Sequence, residues 1–132
     1  MNLKSTFLSL MLASSAVCVA EAANPVLPGF HADPEIMYSN KTGKYYIYST
    51  TDGTPGWGGY YFTVFSSPDL QTWTDEGVML DLKSEQVLWA TGNAWAPAII
   101  ERREGDGYKY YFYYSGHWPE ADRKAIGVAV AD

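Results

Sequence analysis

Two stretches of this chain pass through the same series of strand-forming segments in the same order. ADPEIMYS from Ala32, GKYYIYS from Gly43 and YYFTVFSS from Tyr60 are echoed by WAPAIIERR from Trp95, YKYYFYYS from Tyr108 and AIGVAVAD from Ala125. Pairing Pro34 with Pro97 gives an offset of about 63, and pairing Lys44 with Lys109 or Thr63 with Val128 gives about 65. A repeat of that length, made of short apolar and aromatic runs, predicts all-β units that stack and bury their faces on one another. In the first unit SSPDLQTW turns the chain into a fourth strand around Trp73. Four-stranded units recurring at tens of residues are the mark of a β-propeller blade. The pattern places blade 1 at about 32–80 and blade 2 from about 93, with long loops such as TDGTPGWGG between strands. Two hairpin-rich halves of a β-sandwich are the rival architecture. Nothing has helical period, and Asp81 to Glu85 can supply one turn at most.

The start of the chain reads differently. MNLKSTFLSLMLASSAVCVAEA has one cation, Lys4, an apolar stretch from about Phe7 to Val19, and a small-x-small ending at Ala20-Glu21-Ala22. That is the pattern of a secretory signal over residues 1–22 and implies a secreted or periplasmic product. The run is shorter than the roughly 20 apolar residues of a membrane span. A lipoprotein signal would acylate Cys18, but Val17 is a poor residue to precede it. Cys18 is the only cysteine, so the exported part, 23–132, has no disulfide and relies on packing. Lys4 and Glu21 cancel, so that part keeps the net charge of -6, which argues against nucleic acid as a partner. The 11 Tyr, 5 Trp and 5 Phe of the whole chain, all but Phe7 in the exported part, suit short strands and flat sugar-binding surfaces. The second series ends at Asp132 with its third strand, and propellers need four or more blades to close. The chain is therefore expected to be the N-terminal part of a larger domain.

NPVLPGFHADPEI holds the most pointed candidate. Asp33 opens an innermost strand and precedes Pro34, which has no amide hydrogen and is expected to hold Asp33 extended. Such a carboxylate would face the central axis of a propeller. Equally, it could simply cap turn amides, the common task of Asp in loops.

GFHADPEI, YYIYSTTDG, SSPDLQTWTDEG, GNAWAPAII and YYFYYSG, in that order, resemble the opening of glycoside hydrolase family 43, over nearly all of the chain from about Asn24. The resemblance implies a five-bladed β-propeller that cleaves arabinose- or xylose-containing plant polysaccharides with inversion, as an α-L-arabinofuranosidase, a β-xylosidase or an endo-arabinanase. Inversion needs a carboxylate base and a carboxylic acid on opposite faces of the sugar, roughly 6.5 to 9.5 Å apart. Asp33 matches the position of the family's base, and an ordinary aspartate, with a pKa of about 3.9, is ionised at neutral pH. The family's pKa-tuning Asp and its acid Glu lie in later blades, so the chain as it stands is expected to be inactive. A carboxylate at position 33 favours an enzyme over a non-catalytic carbohydrate-binding propeller or a protein-binding scaffold.

Three further residues are candidates for substrate contact. The resemblance implies that Trp95, just before the second innermost strand, is a stacking platform for sugar, with blade-to-blade packing as the alternative. His31 could bond sugar hydroxyls, although strand alternation points it away from its neighbour and a structural role is as well supported. Trp57, in the Gly-rich loop, could wall a subsite or cover a blade edge. Asp69 and Asp75 are assigned to a solvated turn, and Glu101, Glu104 and Asp106 to a charged hairpin tip. No cofactor is required and no metal site is visible: His31 and His117 lie in different repeats and no calcium-loop spacing occurs, although some relatives hold an ion such as calcium in the propeller channel. The complete protein is expected to be a monomer.

Overall fold

The computed structural model describes residues 25–132; the expected signal at 1–22, including Cys18, lies outside them. Seven strands form two antiparallel sheets. The first runs in chain order through β1 (His31–Ser39), β2 (Lys44–Thr51), β3 (Tyr61–Ser67) and β4 (Thr74–Asp81). The second runs through β5 (Trp95–Glu104), β6 (Gly107–Trp118) and β7 (Arg123–Ala131). Two single turns of 3-10 helix, Pro55–Trp57 and Pro119–Ala121, are the only helical segments among the described residues. Among these residues no helix is long and apolar enough to cross a membrane.

The local chemistry explains the strand boundaries. Gly43 adopts φ 69, a left-handed value that costs glycine nothing, and its amide closes the β1–β2 turn on the Ser39 carbonyl at 2.8 Å. After β3, the Ser67 hydroxyl accepts the amide of Leu70, and Asp69 accepts those of Gln71 and Thr72. The Thr72 and Gln71 amides hold the Asp69 carboxyl below the usual carboxylate range. Asp69 is therefore a turn former, as its position in the sequence suggested. This turn delivers a fourth strand longer and later than expected: β4 spans eight residues and starts just beyond Trp73. The Trp73 ring instead packs against Leu27, Ile47 and Phe65 on one face of the first sheet.

The other face of that sheet meets the second sheet through an aromatic core. Phe62 is fully buried, with its ring edge-on to Phe112 at 5.1 Å and to Tyr114 at 5.8 Å, while Tyr48 lies 5.7 Å from Phe112. The connection from Leu82 to Ala94 is drawn into the same core through Leu82, Ala90 and Ala94. Trp89 stacks on Tyr114 at 5.8 Å and also covers Gly127, where a Cβ would sit 2.4 Å from the indole. Burial of each large core side chain contributes roughly 1.5–3 kcal/mol.

A polar clamp closes one edge of this seam. Glu101 does not sit in the hairpin tip, as its sequence position had implied. It pairs with Tyr110 three residues before the turn, and its side chain reaches across to the first sheet. The Ser39 and Tyr110 hydroxyls donate to Oε2, while the Asn40 backbone and side-chain N–H groups donate to Oε1 at 2.8 and 2.9 Å. Partial removal from water pushes this carboxyl up, but the bonds from Ser39, Asn40 and Tyr110 outweigh that and hold it at about 2. A carboxylate whose folded value lies below the ordinary 4.5 stabilises the fold fully above that pH and loses its contribution as pH falls toward 2. Urea midpoints measured from pH 5 to pH 2 should fall steadily, and Glu101→Gln should flatten that dependence while lowering the midpoint at pH 7. An unchanged pH slope in the variant would remove Glu101 from this role.

Candidate active site

Both sheets begin in the same irregularity. In β1, Asp33 and Pro34 together oppose Ser49 of β2, and the regular register resumes with Glu35 opposite Tyr48. In β5, Ala96 and Pro97 together oppose Tyr114, and the register resumes with Ala98 opposite Tyr113. Each is a β-bulge, and the proline fits because an irregular position needs no ladder donor. The bulge overturns the expectation of an extended Asp33. Asp33 has φ 47 and Ala96 has φ 46, left-handed values that an L side chain adopts at a cost of about 1–2 kcal/mol. Accommodating the extra residue outweighs the usual preference of a residue preceding proline for extended geometry. Strain of this kind persists where surrounding contacts over-determine it and is common at functional sites.

The bulge separates Asp33 from His31. Ser49 and Thr50 are consecutive on β2 and so face opposite sides of the sheet. The Thr50 hydroxyl donates to Asp33 Oδ2 at 3.1 Å, on the side facing the second sheet. His31 goes the other way: Nδ1 lies 2.9 Å from the Ser49 hydroxyl, Nε2 lies 3.0 Å from the Pro28 carbonyl, and the ring meets Phe65 edge-on. With both nitrogens engaged, His31 anchors the segment that leads into β1. The groove it lines with Leu27, Phe65 and Trp73 opens on the face away from Asp33. The Asp33 carboxylate itself stays exposed, and no donor approaches Oδ1 among the described residues.

Trp95 and Trp57 meet through the backbone of one and the ring of the other. The Trp95 indole N–H donates to the Trp57 carbonyl at 3.0 Å, and the Asn93 side chain donates to the same oxygen at 3.1 Å. The Ala94 amide bonds the Gly59 carbonyl at 2.9 Å, so the Gly-rich loop is stitched to the entry of β5. Trp57 is 73% exposed, while its carbonyl fixes the plane of Trp95. Lys124, which also bonds Asn93, holds its ammonium 5.1 Å from the centre of the Trp95 ring. Asn93 and Lys124 do not stand out in the sequence. Only Thr50 carried a signal, since alternation puts it on the face of Tyr46 and Tyr48.

The remaining described carboxylates with strong partners are committed elsewhere. Glu101 binds the Ser39 end of β1, six residues from Asp33, or about 20 Å along an extended strand. Glu76 accepts from Ser66, Glu104 from Tyr111, and Asp81 from the Lys83 amide. Among the described residues no group of three or more His, Cys, Asp or Glu side chains could hold a metal ion.

A family model described as glycosyl hydrolases family 43 matches residues 22–132. The chain belongs to this family. A β-D-galactofuranosidase from Aspergillus niger is 36% identical over 115 residues, covering 83% of this chain and 31% of the relative. A probable arabinan endo-1,5-α-L-arabinosidase C from Aspergillus flavus is 32% identical over 94 residues, covering 70% of this chain and 26% of that protein. The chain thus spans about a third or less of the length of the curated relatives it matches. Among solved structures, the RS223 β-xylosidase superposes with a TM-score of 0.63 at 32% identity, over 78% of this chain and 32% of the other. The GH43_1 enzyme from Xanthomonas citri complexed with xylotriose does so with a TM-score of 0.68 at 27% identity, over 82% of this chain and 30% of the other.

The Gly59 contact is the most exacting in the loop that holds Trp95. A Cβ there would lie 2.5 Å from the Thr51 backbone oxygen, which cannot swing aside as a side chain could. Gly59→Ala should destabilise the protein by about 1–3 kcal/mol and expose the 52–59 loop to limited proteolysis. Wild-type cleavage rates and melting temperature would show that the loop yields freely.

Proposed function

We propose that this chain carries the base and part of the substrate platform of an exported glycoside hydrolase, built as a five-bladed β-propeller and acting on arabinan- or xylan-type polysaccharides. The observation that carries the reading is the Asp33 carboxylate. It is exposed at the first turn of an innermost strand, lifted out of the ladder by a bulge, and held on one oxygen, with the indole of Trp95 entering the neighbouring sheet. The build of two successive sheets, each opening with the same bulge before a proline, supports the propeller. The names of the xylosidase and arabinosidase relatives support the substrate class.

In this mechanism Asp33 Oδ1 accepts a proton from water as the water attacks the anomeric carbon. A carboxylic acid on the opposite face protonates the departing oxygen, so configuration inverts in a single displacement. The family pattern assigns that acid to a Glu of a later blade. Trp95 binds the apolar face of a sugar ring, and its fixed edge orients the platform. Because the stacking acts on ground and transition states alike, Trp95→Ala in the complete enzyme should raise KM several-fold with a smaller change in kcat. An unchanged KM with an intact melting temperature would assign the ring to packing.

Asp33→Asn preserves shape but removes the proton acceptor. Loss of general-base assistance should lower kcat of the complete enzyme by about 10² to 10⁴, with little change in substrate binding. Azide, a nucleophile that needs no base, should partly restore turnover of an activated glycoside. A variant that kept more than about a tenth of wild-type kcat would make Asp33 a turn former, as would be expected of a carbohydrate-binding propeller without hydrolytic chemistry.

A further inference from the structure

Thr50 is 3% exposed, and its hydroxyl has two partners that belong to different sheets. Oγ1 lies 2.9 Å from the backbone nitrogen of Ala96 and 3.1 Å from Asp33 Oδ2. An amide N–H can only donate, so Oγ1 accepts there and its single proton is directed to the carboxylate. The result is a one-way chain from Ala96 N–H through the Thr50 hydroxyl to Asp33. The β-branched side chain of threonine has a stiff χ1, which makes the hydroxyl a rigid post rather than a mobile tether. Ala96 stands at the bulge position equivalent to that of Asp33, so the left-handed turn that lifts the carboxylate in one sheet is repeated at the amide that anchors it in the next.

We propose that Thr50 is the positioning residue of the base, holding Oδ2 so that Oδ1 alone faces the attacking water, and that through Ala96 the second sheet sets the aim of a carboxylate carried by the first. The inference rests on the reading of Asp33 as general base. It assigns to Thr50 no contact with substrate, so its effect belongs to kcat and depends on the charge at position 33.

The test is a double-mutant cycle in the complete enzyme, with Thr50→Val, Thr50→Ser and Asp33→Asn. Thr50→Val should lower kcat by roughly 10-fold or more, the worth of a hydrogen bond to a charged group, while KM stays within about two-fold. Thr50→Ser, which keeps the hydroxyl, should recover most of the rate. In the Asp33→Asn background Thr50→Val should cost nothing further, because the base it aims is gone. Should the valine variant fail to fold, Thr50→Cys, with its weaker donor, makes the same comparison. Equal losses of kcat in both backgrounds, or a full rate in Thr50→Val beside a collapsed rate in Asp33→Asn, would overturn the proposal and leave the base reading intact. A full rate in Asp33→Asn would overturn the base reading, and the role of Thr50 with it.

Discussion

The seam between the two sheets is what everything else in this structure leans on. Phe62 enters it fully buried, with the rings of Phe112 and Tyr114 at 5.1 and 5.8 Å, and Tyr48 packs on Phe112 at 5.7 Å. The aromatic rings give the seam its area, but offset and edge-on packing alone would tolerate some sliding of one sheet across the other. Two directional contacts remove that freedom. At one end Glu101 gathers donors from Ser39, Asn40 and Tyr110, and at the other Thr50 joins Ala96 to Asp33. The hydrophobic contact provides cohesion, and the hydrogen bonds provide register.

This arrangement suits the proposed role of Asp33 as a base that has to be aimed at water. Buried in the seam, the Asp33 carboxylate would lose its contact with water. Free on a loop, it would not hold a fixed direction toward water. The bulge places it at the edge, where the carboxylate remains exposed and only one oxygen is bound. The backbone strain of two left-handed residues is carried by the neighbouring strands, whose ladders resume regular pairing immediately afterward. His31, two residues earlier, serves the opposite need: both nitrogens are tied and the ring closes the far face of the sheet. Two polar residues in one short motif are thus assigned to different tasks by the parity of β2.

The Gly-rich loop links the sheets a third time, near the mouth of the site. Its useful atoms are backbone oxygens, those of Trp57 and Gly59, and the partners that matter are the indole N–H of Trp95 and the amide of Ala94. A loop that works through its carbonyls can vary in side chains while keeping Trp95 in place. The Trp57 residue itself stays exposed.

The repeat of strand segments at an offset near 64, the all-β class, the turn role of Asp69 and the family were all legible in the sequence, because they follow from alternation, turn chemistry and ordered motifs, which are local. Asp33 was also legible as a candidate through the proline that follows it. Its conformation was not: local preference pointed to extended backbone, and pairing with β2 imposed a left-handed turn instead. Glu101 read as a solvated charge near a hairpin tip, since nothing within a few residues reveals Ser39 and Asn40, about 60 positions earlier in the chain. A separation of 46 residues likewise hid the bond from Ala96 to Thr50. Periodicity settles which face a side chain takes, but only the packing of one sheet on the next decides what it meets there.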